Sequence, residues 1–225
     1  MSNFVLQRRN MVESQVRPSD VTDRRILRAM SDLPREAFVP WPLRELAYMD
    51  EDLRLPAAPG TPQRGMLAPR TLAKLLQAAN LEPGCRVLVV GATTGYAAAL
   101  IATIAQEVIA LDSDARWLEI ARQALAIAGT ANVALNNGDL TAGWPAKAPY
   151  DAIILEGQVS MIPAALLDQL KDGGRLVAVL SSLDSGVVGK ATAWQRIGMR
   201  FEPTAVFDAG AIPLPGFQQP VAFAL

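Results

Sequence analysis

Histidine is absent from the 225 residues. That excludes histidine-based triads, histidine acid–base pairs and histidine metal sites together. Cysteine occurs once, at Cys85, so no internal disulfide can form. A reducing compartment is the natural expectation, and Cys85, placed just before an apolar run, is expected to be inert. One cysteine and no histidine also leave no zinc ligand set, so no metal site is expected. Charge of one sign is lacking too: 21 Lys and Arg stand against 22 Asp and Glu. No basic field invites nucleic acid or an anionic membrane. Long hydrophobic runs are missing. The longest near-apolar stretch, GYAAALIATIA, is about half the roughly 20 residues that span a bilayer. The first ten residues, MSNFVLQRRN, contain no apolar run of the kind a secretory leader carries. A cytoplasmic chain with no nucleic-acid and no membrane partner is expected. Any chemistry must use carboxylates, hydroxyls, amines or a borrowed cofactor.

Half of the residues are hydrophobic, ample for one large α/β domain or one domain with a small extension. Residues 1–66 read as an N-terminal extension. Two Arg-rich helices are expected, roughly Asn3–Ser14 and Thr22–Met30, with Thr22 as N-cap. Proline-punctuated loops follow, lying lid-like on something larger. Residues 67–225 read as the main domain. Leu72, Leu75, Leu76 and Ala79 recur at helical spacing. RVLVV (86–90) is apolar throughout, as a parallel strand buried on both faces must be. Further strands are expected at EVIALD (107–112), NVALNNGD (132–139), YDAIILEG (150–157) and GRLVAVL (174–180). Helices are expected between them at 95–105 and 115–128, and from Pro163 to a stop at Gly173-Gly174. ATAWQRIG and FEPTAVFDA suit an antiparallel hairpin at one edge. PLPGFQQPVAFAL closes the chain as a loop and a short apolar segment. The alternation gives a doubly wound, mostly parallel sheet.

Ligands of such sheets sit beyond the carboxyl ends of the strands, beside the first one. Gly91 follows that strand and Gly95 opens the next helix, so backbone can approach a ligand there. About 20 residues on, Asp112 ends the second strand, where an acid can accept ribose hydroxyls. Gly138-Asp139-Leu140 follows the third strand, where an acid can meet an adenine amino group. Other roles stay open: a plain βα turn for the glycines, helix capping for Asp112, turn chemistry for Asp139, and packing beneath the loop for Tyr96. The four tryptophans suit core or lid anchors better than a stacking platform.

LPREAFVPWPLRELAYMDEDLRLP, APRTLAKLLQAANLEPGCRVLVVGATTGYAAALIA and YDAIILEGQVSMIPAALLDQLKDGGRLVAVL together resemble the protein-L-isoaspartate O-methyltransferase family, in order and spacing, from about residue 30 to about residue 180. The PRE-x-FV segment and the GY-x-AA-x-(I/L)-A helix carry most of the specificity. The resemblance implies a seven-stranded class I methyltransferase fold of Rossmann-like type, with S-adenosylmethionine (SAM) as cofactor. It implies methylation of the α-carboxylate of an isoaspartyl residue in a protein or peptide, the ester then collapsing to a succinimide as a repair step. It places Gly91, Ala92, Thr93, Gly95 and Tyr96 on the cofactor loop. It also places Asp112 at the ribose and Asp139 and Leu140 at the adenine, with Ser113 and Glu156 among the cofactor-binding residues. No catalytic base is implied, since a carboxylate is already ionised near neutral pH and the work is alignment.

Three departures from the pattern stand out. Val89 stands where class I methyltransferases carry an acid at the methionine end. Thr93 replaces the middle glycine of the loop, which is costly for a β-branched residue if φ there is positive. In the substrate segment G-Q-T-I-S-x-P, this chain has Gln63-Arg64-Gly65-Met66-Leu67-Ala68-Pro69, so both hydroxyls are gone. Arg64, Gly65, Met66, Leu67 and Arg70 are the substrate-segment candidates, and either arginine could pair with the substrate carboxylate. Two alternatives stand beside the isoaspartyl reading. One is a methyltransferase with a less polar acceptor, Met66 and Leu67 making the entrance apolar and the 213–217 segment forming a wall. The other is an inactive binding module of this fold. The N-terminal helices could support a homodimer.

Overall fold

The computed structural model describes residues 3–181 and 188–218. The centre is one seven-stranded sheet in the order β5-β4-β3-β6-β7-β8-β9. Its strands are β3 (Arg86–Val90), β4 (Glu107–Asp112), β5 (Val133–Asn137), β6 (Tyr150–Val159), β7 (Leu170–Leu180), β8 (Lys190–Ile197) and β9 (Arg200–Asp208). β3 to β7 run parallel; β8 and β9 add the antiparallel edge. β3 lies between β4 and β6, in register Val89 opposite Ala110 and Ile154. Leu88 and Val90 pack on one face of the sheet and Val87 and Val89 on the other. That two-sided burial is why RVLVV has no polar alternation.

Helices α3 (Pro69–Ala78), α4 (Tyr96–Ala102) and α5 (Ala115–Ile127) supply the layers, with α6 (Ala164–Leu167) a single short turn. The N-terminal helices α1 (Phe4–Met11) and α2 (Arg24–Asp32) share the larger core with the sheet, through Met11, Ile26 and Met30. A short pair of strands, β1 (Leu53–Arg54) and β2 (Gly65–Met66), closes a loop over the top.

Several boundaries differ from expectation. The first helix ends at Met11 and continues as a π turn, Val12–Val16, and a 3₁₀ turn, Arg17–Ser19, because Pro18 removes a donor and Asp20 turns left-handed. Asp23, not Thr22, caps α2: its carboxylate accepts from the Arg25 N–H at 2.8 Å, while the Thr22 N–H donates to Gln77. Gly173-Gly174 does not end a helix. The Tyr150 N–H takes the Gln169 carbonyl at 2.8 Å, drawing the chain into β7 from Leu170. The two glycines then lie in an irregularity of β7, where a Cβ on Gly174 would come within 2.8 Å of the Lys171 carbonyl. The edge hairpin is as expected. The apolar tail at 219–225 lies outside the described residues. Among those described, no helix is long and apolar enough to cross a membrane.

Candidate active site

The crevice above β3 and β4 brings together residues from four distant segments. After β3 the chain turns at Gly91, with φ +81°, and enters α4 at Gly95, with φ +87°. At Gly95 an added Cβ would sit 3.1 Å from Ala121 of α5, so glycine also lets the helices approach. Between them Thr93 adopts φ +44°, the left-handed conformation whose cost the sequence raised for a β-branched residue. Thr93 and Thr94 are buried, and neither hydroxyl has a hydrogen-bond partner among the described residues.

The loop's own donors face the protein. The N–H groups of Gly91 and Ala92 both donate to the Leu111 carbonyl, at 2.9 and 3.1 Å. The Thr93 N–H donates to Asp112 Oδ2 at 2.9 Å, and the Asp114 N–H to Asp112 Oδ1 at 3.0 Å. Arg64 completes the set. Its Nη1 donates to Oδ1 at 3.0 Å and its Nη2 to Oδ2 at 2.7 Å. The Asp112 carboxylate is fully buried and Arg64 is 4% exposed. Capping of α5 falls instead to Asp114, whose carboxylate accepts from the Arg116 N–H.

The C-terminal segment crosses the same space. Gln158 and Leu214 exchange backbone bonds through Ile212, with Gln158 N–H on the Ile212 carbonyl at 2.9 Å and Leu214 N–H on the Gln158 carbonyl at 2.8 Å. A Cβ at Gly91 would meet Leu214 at 2.6 Å and Arg64 Nη2 at 3.2 Å; one at Gly157 would meet Leu214 at 2.6 Å. Further along, Gly216 lies against Thr141, and the Phe217 carbonyl accepts from Ser160 Oγ at 2.6 Å. Phe217 is buried in the smaller core cluster, which also holds Leu140 and against which Trp144 packs. The segment therefore runs from the glycine turn toward the tip of β5.

The remaining predicted residues are dispersed. Met66 and Leu67 are buried in the large core, so they line no entrance in this conformation; each packs inward from the edge of the β1–β2 loop. Gly65 leaves no room for the expected threonine, since a Cβ would lie 2.1 Å from Ile212 Cδ1 and 2.9 Å from the Leu53 carbonyl. Arg70 is exposed and pairs with Asp50 at 3.3 Å. It borders an open depression of about 590 Å³ with Asp52, Ala68, Lys74 and Phe207. Ser113 is exposed. Asp139 is exposed and its carboxylate accepts from the N–H and hydroxyl of Thr141, both at 2.8 Å. Those bonds hold it below the usual carboxylate range. Tyr96 is wholly buried, its ring 5.5 Å from Phe38 and under the Arg35 guanidinium at 4.7 Å.

Two contributors escaped the sequence reading. Arg35 is 1% exposed and donates to the carbonyls of Ala47 and Leu67 at 2.7 and 2.8 Å. It thereby ties the substrate segment to the ring of Tyr96 beneath the cofactor loop. Asp52 accepts from the N–H groups of Ala68 and Ile212, at 2.8 and 3.1 Å, and joins that segment to the C-terminal one. The PRE segment was the signal for the first. The second joins residues 160 positions apart, which no local pattern reports. Glu156 is 3% exposed, with Oε2 unpartnered among the described residues. Burial pushes its carboxyl well above the usual range, opposed by the nearby charges of Arg35 and Arg64.

Residues 6–189 match the family model described as protein-L-isoaspartate(D-aspartate) O-methyltransferase. The chain belongs to that family. Its relatives include a protein-L-isoaspartate O-methyltransferase 1 of Rhodopseudomonas palustris, 41% identical over 176 residues, covering 78% of this chain and 70% of the relative. Another, from Koribacter versatilis, is 34% identical over 220 residues, covering 97% and 95%. A solved structure named protein-L-isoaspartate O-methyltransferase superposes with a TM-score of 0.81 at 25% identity, over 94% of this chain and 67% of its own. One from Plasmodium falciparum, titled as a complex with S-adenosyl-L-homocysteine (SAH), has a TM-score of 0.73 at 17% identity, over 94% and 98%. It supports the fold. The sheet is that of a class I methyltransferase, and the family's chemistry is SAM-dependent methylation of isoaspartyl proteins.

The crevice fits a nucleoside in kind: two glycines at positive φ and a buried acid at the tip of β4. It does not fit one in volume as it stands. Arg64 and Leu214 fill the space over Gly91, and Arg64 with two backbone N–H groups takes up the Asp112 oxygens.

Proposed function

We propose that this chain methylates the carboxylate of an isoaspartyl residue in a protein or peptide, with SAM as methyl donor. The observation that carries the reading is Asp112, buried at the tip of β4 and facing the Gly91–Gly95 turn at the sheet's switch point. When bound, SAM supplies a methyl carbon on a sulfonium, which a carboxylate attacks without a base. The lack of histidine is therefore no obstacle. Asp112 and the turn are assigned to the nucleoside, with Leu140 and Phe217 as the apolar wall at the tip of β5. Gly91, Ala92, Thr93 and Gly95 shape the turn, and Tyr96 supports it from below. Burial raises the Glu156 carboxyl well above the usual range, which disfavours a negative charge beside an incoming carboxylate.

The depression beside Ala68 is assigned to the peptide, with Arg70 and Lys74 as the cations on its wall. Its charged lining, with Asp50, Glu51, Asp52 and Asp208 beside those two cations, suits a polar backbone rather than an apolar acceptor. The N-terminal helix exposes Val5 and Leu6, the surface on which a homodimer is proposed.

The test is methyl transfer from labelled SAM to an isoaspartyl peptide, read as base-labile label. Incorporation that is absent with the matching aspartyl peptide supports the assignment. Incorporation into neither peptide under conditions where SAH binds removes it.

A further inference from the structure

We propose that Arg64 is a displaceable stand-in for the cofactor's ribose. It neutralises Asp112 while the crevice holds no ligand, and it must leave before the nucleoside can be held. The inference rests on the SAM-dependent reading of the site and names how that site is controlled.

A carboxylate has about four good acceptor directions. On Asp112 all four are used: two by the N–H groups of Thr93 and Asp114, two by Arg64. The backbone donors belong to the two turns that shape the site and cannot be withdrawn without dismantling it. Arg64 is different. It is a long side chain on the residue just before β2, in a strand pair only two residues deep, where the Leu55 N–H donates to its carbonyl at 3.0 Å. A ribose diol needs two acceptor positions, and these are the two that a side-chain rotation frees. Arg64 Nη2 also lies 3.2 Å from where a Cβ of Gly91 would stand, so the guanidinium blocks the glycine face as well as the acid.

A second acceptor waits nearby. Glu156 Oε2 is buried without a partner among the described residues, and Arg64 is one of the two cations that act on it. A displaced guanidinium thus finds a hydrogen-bond acceptor, and its approach favours the ionised form of that carboxyl, so its charge is not stranded in an apolar pocket, which would be prohibitive. Leu214, packed on both Gly91 and Gly157, moves with it, since the same space must be cleared. The arrangement makes the cofactor compete with an intramolecular ligand. Its apparent Kd is raised by the reciprocal of the fraction of molecules in which Arg64 has swung away.

The test is calorimetric titration of SAH into the full-length protein and into Arg64→Ala. If Arg64 is off Asp112 in about a tenth of molecules or fewer, removing it tightens SAH binding by about tenfold or more. An unchanged or weaker Kd in Arg64→Ala overturns the proposal, because Arg64 would then be a structural prop or a direct contact of the ligand. Should the variant not fold alone, the wild-type protein crystallised with SAH decides. The ribose on Asp112 with Arg64 turned away sustains the proposal; Arg64 still bidentate on Asp112 beside bound SAH overturns it. Failure of the function is distinguishable. Tighter SAH binding in Arg64→Ala, with no methyl transfer to isoaspartyl peptide by the wild-type protein, removes the substrate and keeps the gate. No SAH binding at millimolar concentration by either protein removes both.

Discussion

Thr93 is the residue at which local preference and the site disagree most. Its φ of +44° is a glycine conformation, and its hydroxyl is buried with no partner among the described residues. Strain of this kind costs about 1–3 kcal/mol, and an unpaired buried hydroxyl adds to it. Thr93→Gly relieves both and gives back part of the gain through the looser unfolded chain, about 0.5–1 kcal/mol. The net expectation is a stabilisation of about 1 kcal/mol, seen as a higher urea midpoint at unchanged slope. A lower midpoint would mean that the Thr93 methyl group earns its place by packing. Glu156 makes the second prediction. Its folded pKa lies well above the ordinary 4.5 because it is buried. Below the unfolded value both states are protonated and nothing is lost. Above it the unfolded chain ionises while the folded one holds its proton, so stability falls as pH rises, by up to about 1.4 kcal/mol per unit until the folded pKa is reached. Glu156→Gln has no such slope. It should be more stable than the wild-type protein at pH 8, with the difference shrinking toward pH 5. A difference that is constant across that range would contradict the assignment.

At the scale of elements, the C-terminal segment depends on glycine on the facing surface. Gly157 needs no unusual backbone angle; what it needs is space, because a Cβ would fall 2.6 Å from Leu214 Cγ and 2.8 Å from the Ile212 carbonyl. Gly157→Ala should cost about 1–3 kcal/mol. Hydrogen exchange should speed up at Leu214, while β3 and β4 keep their protection. Exchange that accelerates across the whole sheet would show that the segment is part of the core. The strands were the legible elements. RVLVV and EVIALD are buried on both faces, so composition alone marks their limits, and the structure ends them at the same residues. Helix starts were less so: Thr22 and Asp23 are both good caps, and the choice was made by Gln77, 55 residues away. The Gly173-Gly174 pair read as a helix stop because glycine punctuates helices and bulges alike. At the site, Asp112 and the turn glycines stood out by spacing. The role of Arg64 did not. An arginine in place of two hydroxyls pointed to a carboxylate, and the carboxylate it holds is the chain's own, 48 residues on.

Across the whole molecule, the loop over the sheet, the start of α3 and the C-terminal segment are joined by one side chain, Asp52. One oxygen of its carboxylate accepts from the Ala68 N–H just before α3, and the other from the Ile212 N–H. Burial raises its pKa, with those two backbone bonds working in the opposite direction. The carboxylate thus carries a desolvation cost, and its return is the mutual placement of three segments that each cover the crevice. Arg35 makes a parallel connection from the N-terminal side, through Ala47 and Leu67. Removing Asp52 leaves two N–H donors without their partner, about 1–3 kcal/mol for each that stays buried. Asp52→Ala should therefore unfold at lower denaturant. Its more specific consequence is joint loosening: the amides of residues 65–68 and those of Ile212 and Leu214 should lose protection together, though they are far apart in sequence. The crevice beneath would then open more often, and SAH affinity should rise in Asp52→Ala, as it is expected to on removing Arg64. Loss of protection confined to one of the two segments would show that Asp52 supports that segment alone, and that the cover over Asp112 does not move as a unit.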